Sequence, residues 1–244
     1  SVRSMAITGP FSYSVEPDFH LAPGASFPVS VVFKPTAVGA CTGKVRLDIG
    51  SGLADYVTLT GTGAAETGIQ RLSTSGNQFV KPSGAAMRLK SINWFGGEGE
   101  NYTPNGIWGR AWRGIIDQIK ALGFNCIRLP FSGEMATNNP AVPGTAINSA
   151  ANPDLVGKTA LEIFDLIIDY CLAREIYVVL DHHRRTSGAG ADGSPIGTSY
   201  TLDNWKASWA VMANRYKDKA NVVGADLHNE PHDLTWSTWA GYVE

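Results

Sequence analysis

The stretch Asn125-Cys126-Ile127-Arg128-Leu129-Pro130 decides the fold through what stands on either side of it. Before it, Arg110 to Leu122 places Trp112, Ile115, Ile116, Ile119 and Leu122 at helical spacing, with Gly123 where a left-handed C-terminal cap sits. After it, Thr159-Ala160-Leu161-Glu162 has capping-box spacing and opens a second helix carrying Leu161, Phe164, Ile168, Cys171 and Leu172. That helix feeds the apolar run Ile176 to Leu180. A third helix, with Trp205, Trp209, Met212 and Tyr216 on one face, leads into Val222-Val223-Gly224-Ala225-Asp226-Leu227. Near-continuous apolar strands alternating with amphipathic helices signal a parallel sheet covered by helices.

Four strands are expected, ending near Asn93, Pro130, Asp181 and Asn229, at about 45 residues per unit. Eight such units need roughly 360 residues, within the range of an eight-fold β/α barrel with long loops. The chain after residue 68 holds about half of that, so the expectation is the first half of a (β/α)8 TIM barrel, with the record cut at both ends.

Residues 1–63 follow another rhythm. Phe27, Val29, Val31 and Phe33 fall on one face of a run with period two, Val45, Leu47 and Ile49 alternate with Lys44, Arg46 and Asp48, and Val57 and Leu59 alternate with threonines. These are short antiparallel strands broken by Pro and Gly, about four where an immunoglobulin-like sandwich needs about seven. The expected organisation is therefore a multidomain chain: a partial antiparallel β-sandwich over 1–63, a polar linker over 64–68, and the barrel portion over 69–244.

Composition bounds the partners. Of 244 residues, 43% are hydrophobic and 17% charged, which gives a core-forming rather than a disordered chain. Twenty Lys and Arg against 22 Asp and Glu leave a net charge of -2 with no block of like charge, which argues against nucleic acid and anionic membrane surfaces. No stretch approaches a membrane span, and Ser1-Val2-Arg3 has none of the basic and apolar regions of a signal peptide. Cys41, Cys126 and Cys171 lack the spacing of a disulfide framework or a zinc site and read as small core residues.

Chemistry gathers at the strand ends, where a β/α barrel builds its active site. Asn93-Trp94 closes the first strand, Arg128 lies near the end of the second, Asp181-His182-His183-Arg184 closes the third, and His228-Asn229-Glu230-Pro231 closes the fourth. A single strand-end Asp or His often only caps the next helix. Four polar clusters in register are hard to explain as packing.

With "SINWFG", "IDQIKALGFNCIRLPF", "VVLDHHR" and "ANRYKDKANVVGADLHNEPHD" in order, the sequence from about Ile69 to its end resembles glycoside hydrolase family 5, in particular its endoglucanase-type cellulases. The run "LAPGASFPVSVVFKPTAVGACTGKVRLDIG…VTLTGTG" resembles immunoglobulin-like domains of the abnormal-spindle/hydin type. The family resemblance implies a retaining endo-β-1,4-glucanase acting on β-1,4-linked polysaccharide without a cofactor or metal, secreted by a bacterium and monomeric when full length. It implies that Glu230 is the general acid/base, its pKa raised by desolvation between tryptophans, and that Asn229 hydrogen-bonds the sugar 2-hydroxyl. Arg128 would keep the nucleophile ionised, His183 would contact the sugar at the point of cleavage, and Trp94 would stack on a pyranose face. His182 alternates to the other side of its strand and reads as structural. Glu98, Asn101, Tyr102 and Trp108 belong to the following loop and receive no roles.

In the family the nucleophile is a Glu near the end of the seventh strand, expected beyond residue 244. Neither Asp181 nor Glu134 matches it, so the chain as given is expected to be inactive alone. Two alternatives stand beside the cellulase: a β-mannanase or other β-glycanase on the same barrel, and a non-catalytic carbohydrate-binding fragment.

Overall fold

The computed structural model describes residues 4–13, 26–35, 38–63 and 68–244, and contacts divide the chain into two compact units. One comprises Ser1–Thr67 with Ser73–Met87, the other Gly68–Leu72 with Arg88–Glu244. The linker read at 64–68 lies, apart from Gly68, outside the described residues.

In the first unit, β1 (Ser4–Ile7), β4 (Gly39–Gly50) and β5 (Leu53–Gly63) form an antiparallel sheet, and β2 (Phe11–Tyr13) pairs with β3 (Val31–Phe33). Phe11 and Phe33 stack with centroids 4.9 Å apart. They lie against glycines of the larger sheet: a Cβ on Gly43 would come within 2.5 Å of the Phe11 ring, and one on Gly61 within 2.6 Å of Phe33. Glycine is thus required where an aromatic ring rests on a strand backbone. A third sheet, β6 (Ser73–Ser75), β7 (Gln78–Val80) and β8 (Ala86–Met87), belongs to the same unit and had no counterpart in the sequence reading.

The alternation read in this region holds only in part. Among Phe27 to Phe33 only the last three residues are a strand, because Pro28 has no N–H to give a ladder, and Phe27 is 49% exposed. Val45 is buried, but a register shift between Asp48 and Gly50 turns Ile49 outward, and Val57 on the edge strand β5 is exposed. Cys41 is only half-buried, whereas Cys126 and Cys171 are in the core.

The second unit carries β9 (Ser91–Asn93), α1 (Trp112–Ala121), β10 (Cys126–Ser132), α2 (Gly133–Asn138), α3 (Ala160–Ala173), β11 (Tyr177–Arg184), α4 (Leu202–Tyr216), β12 (Val222–Asp226) and α5 (Trp236–Val243). The four strands lie in the order β12-β11-β10-β9, every pair parallel. Sequence neighbours are thus spatial neighbours, joined by helical crossovers, which is the repeating connectivity of a β/α barrel wall.

Local sequence explains the boundaries. Gly123 takes φ 87 just past α1, where a left-handed residue ends the helix, and Leu122 is left 66% exposed instead of facing inward. At α3 one oxygen of Glu162 accepts from both the backbone N–H and the hydroxyl of Thr159, at 2.8 and 3.0 Å. Ile127, Leu129 and Phe131 of β10 pack with Ile116, Ile163, Phe164, Ile167 and Ile168 of the helices, all fully buried. At about 1.5–3 kcal/mol for each such side chain, this apolar layer dominates the stability of the unit.

Candidate active site

Strand period and register bring the strand-end polar groups onto one face. Ile127 and Leu129 point into the helix layer, so Arg128 between them points to the opposite side. Asn93 pairs with Arg128, and Asp181 with Asp226, across the parallel ladder, so these four side chains share that face. Arg128 joins them. Its Nε and Nη2 donate to Asp226 Oδ2 at 3.0 and 2.7 Å, Nη2 also donates to Asn229 Oδ1 at 2.9 Å, and Nη1 reaches Asn93 Oδ1 at 3.3 Å and Asp181 Oδ2 at 2.9 Å. Four of these contacts are hydrogen bonds and the fifth, to Asp181, is an ion pair; a planar fork of donors is what reaches all four partners.

Asp226 was not singled out in the sequence; the signal available was an acidic residue ending an apolar strand. Asn229 is 7% exposed. Because its Oδ1 faces the guanidinium, its amide NH2 is left to donate elsewhere. Asp181 Oδ2 also lies 2.6 Å from His183 Nδ1. That contact holds the proton on Nδ1 and leaves Nε2 of the partly exposed ring for another partner. Burial pushes the Asp181 carboxyl up, and the His183 hydrogen bond and Arg128 pull it down.

His182 turns the other way, into the layer beneath α4, where Phe131, Trp205 and Trp209 surround it. Its Nδ1 lies 3.0 Å from His228 Nδ1, its Nε2 3.5 Å from the Tyr200 hydroxyl, and Tyr200 donates to Asn204 O at 3.3 Å. Following the protons back from Asn204, Tyr200 donates forward, His182 donates from Nε2, and His228 donates from Nδ1. His228 Nε2, buried with no partner, then carries a lone pair and not a stranded proton. Burial, reinforced by the neighbouring imidazole, lowers the pKa of His182 to about 3, and burial lowers that of His228 to about 4.

Glu230 follows directly. It is exposed, and its φ of 47 lies in the left-handed region, a conformation that costs a non-glycine residue about 1 kcal/mol or more. Hydrogen bonds fix the backbone on both sides: Asn229 N–H donates to His182 O at 3.0 Å, and His232 N–H to Gly193 O at 2.8 Å. The expected enclosure of Glu230 between tryptophans is not found among the described residues. Trp94 is 6% exposed, with Nε1 donating to Asn105 O at 2.8 Å, so it belongs to the core and offers no open face. Trp108, in contrast, is 59% exposed. Glu134 accepts from Ser187 N–H at 2.8 Å and ties α2 to the loop after β11. Among the described residues no group of three or more His, Cys, Asp or Glu is arranged to hold a metal ion.

Comparison with known proteins gives one family. The family model described as cellulase (glycosyl hydrolase family 5) matches residues 80–244. The chain is 37% identical over 193 residues to an endoglucanase of Paenibacillus polymyxa, covering 79% of this chain and 47% of that protein. It is 42% identical over 162 residues to the major extracellular endoglucanase of Xanthomonas campestris pv. campestris, covering 66% of this chain and 33% of the relative. Among solved structures, the catalytic domain of the major Xanthomonas endoglucanase superposes with a TM-score of 0.63 at 40% identity, over 68% of this chain and 48% of that one. A cellotetraose complex of the endocellulase from Pyrococcus horikoshii gives 0.62 at 34% identity, over 70% and 46%. The chain therefore spans half or less of the length of these relatives.

Proposed function

Since the chain belongs to glycosyl hydrolase family 5, the cellulase family, we propose that the whole protein is a retaining endo-β-1,4-glucanase with Glu230 as its general acid/base. The observation that carries this reading is the contact of Arg128 with Asn229, 2.9 Å long, which anchors the residue preceding the exposed Glu230 to the polar face of the sheet. Glu230 gives its proton to the glycosidic oxygen as the bond to the anomeric carbon breaks, and a second carboxylate, about 5–5.5 Å away in retaining enzymes, forms the new bond to that carbon. Water, deprotonated by Glu230, then releases the sugar. The second carboxylate is assigned to no residue here: Asp181 is held by Arg128 and His183, and Glu134 by Ser187.

The free NH2 of Asn229 suits a sugar 2-hydroxyl, and Nε2 of His183 suits a second hydroxyl. To Arg128 we assign the part of cation beside the second carboxylate, a charge it shares with Asp181 and Asp226. These residues serve the reaction and not the choice of sugar, so the glucan assignment leans on relatives named endoglucanase. Cellulose is too large to enter a cell, and a relative named extracellular supports secretion. We extend the proposal to a partial immunoglobulin-like sandwich in residues 1–63 ahead of a barrel portion in 69–244, and to a monomeric whole protein.

In the full-length protein, Glu230→Gln is expected to lower kcat/KM for cellotetraose by about 10²–10⁴. A 2,4-dinitrophenyl β-cellobioside, whose leaving group needs no proton, loses far less in that parameter. Equal losses on the two substrates, or none, would overturn the assignment. Mannan oligosaccharides run in parallel decide between the glucan and mannan readings.

A further inference from the structure

Resting on that assignment of Glu230, we propose that His232 is a positioning residue that holds the acid/base in place. Glu230 sits at φ 47 and is exposed, so no packing fixes it, and its geometry depends on what its backbone is tied to. His232 Nδ1 lies 2.6 Å from the Glu230 carbonyl oxygen. A carbonyl can only accept, so the imidazole donates through Nδ1–H and closes a short ring across Pro231. The same residue's N–H donates to Gly193 O at 2.8 Å.

The ring is itself held from below. A Cβ on Gly193 would come within 2.9 Å of His232 Nε2, so the imidazole rests on a backbone that only glycine leaves open. Gly193 has φ 74 and belongs to the loop after β11, which Asp192 ties down through Arg184 at 3.5 Å and Arg185 at 3.3 Å. Asp233, which follows, is also left-handed at φ 60. Two left-handed residues flank Pro231-His232, and the side-chain bond from His232 is what closes the turn on the Glu230 side.

Nδ1–H is present in the imidazolium and in one neutral tautomer, so the bond does not require a charged ring. Asn carries an amide N–H at the equivalent position, which makes His232→Asn the conservative variant and His232→Ala the deletion. A misplacement of about 1 Å costs on the order of 100-fold where a proton must cross a short hydrogen bond. The loss should therefore fall on the steps that need Glu230.

The test uses the full-length protein with Glu230→Gln as reference. His232→Ala is expected to lower kcat/KM for cellotetraose about 10- to 100-fold and to leave kcat/KM for 2,4-dinitrophenyl β-cellobioside within about threefold. Its kcat on the aryl substrate should fall, because release of the glycosyl intermediate needs Glu230 as base, and should recover on adding azide, an anion that attacks that intermediate without one. His232→Asn should restore most of the cellotetraose activity. If Glu230→Gln shows this leaving-group pattern and His232→Ala loses both substrates equally, or neither, the positioning role is wrong while the acid/base assignment stands. If Glu230→Gln itself lacks the pattern, it is the assignment of Glu230 that fails.

Discussion

The oxygen of Asp181 that lies 2.6 Å from Nδ1 of His183 is the same oxygen that forms an ion pair with Nη1 of Arg128 at 2.9 Å. One atom thus sets the tautomer of an imidazole and faces the charge of a guanidinium. The carboxylate can do this because it is acceptor-only and buried, with no solvent to compete.

Asp181→Asn should expose that dual role. An amide oxygen in the place of Oδ2 still faces both partners but carries no negative charge; if the NH2 turns to His183 instead, the ring must accept at Nδ1 and its proton moves to Nε2. In the full-length protein kcat/KM for cellotetraose is expected to fall about 10- to 100-fold with Glu230 untouched. Nitrogen NMR of the imidazole checks the tautomer, and unchanged kinetics would contradict the argument.

Arg128 carries a stability prediction as well. Replacing it by Met leaves Asp181, fully buried, without its cation, a change that costs about 3–5 kcal/mol where a buried pair is broken. Arg128→Lys keeps the charge and loses the fork, so it should recover only part of that loss. Urea unfolding of the two variants beside the parent gives the comparison; equal stabilities for Met and Lys would show that the charge does nothing at this position.

Much of this was legible in the chain. The helical spacing after Arg110, the capping box at Thr159 and the apolar strands lead to the observed order of parallel strands, because each is a local signal that tertiary packing reinforces. The strand-end clusters were legible for the same reason: period two fixes which side Arg128, Asp181 and His182 take. What escaped was non-local. Asp226 differs from any strand-end acid until Arg128 is brought to it from 98 positions away. The burial of Trp94 depends on the loop carbonyl of Asn105. The exposure of Glu230 depends on surroundings that sequence spacing does not encode.

The buried imidazoles make the second unit sensitive to acid. An unfolded histidine has a pKa near 6.5, whereas in the fold His182 is lowered to about 3 and His228 to about 4. Between these values the unfolded chain binds more protons than the folded one, so stability is present above pH 6.5 and is lost as pH falls toward 4. The limiting slope is about 1.4 kcal/mol per pH unit for each histidine. His182→Gln, which offers His228 an uncharged polar neighbour, should flatten the dependence to roughly one histidine's worth. Denaturant midpoints at several pH values between 7 and 4 measure the slope, and an unchanged slope in the variant would assign the sensitivity elsewhere.

The last prediction concerns residues 1–244 produced alone. Among the described residues β12 pairs only with β11, so its other edge carries a row of unused backbone donors and acceptors. Beside that edge Leu180, Trp209, Met212, Val222 and Ala225 line an apolar hollow of about 210 Å³. Helix α5 buries none of its residues, and its first, Trp236, is 80% exposed. A free strand edge next to apolar surface favours association over solution as a monomer. Sedimentation velocity of the purified polypeptide is therefore expected to show concentration-dependent self-association. Ala225→Lys, which sets a charge on the exposed part of β12, should reduce it by making a second strand pay desolvation for docking there. A monomer that unfolds cooperatively across the accessible concentration range, with or without the lysine, would mean that this edge is satisfied in solution and that the face beside it is no liability.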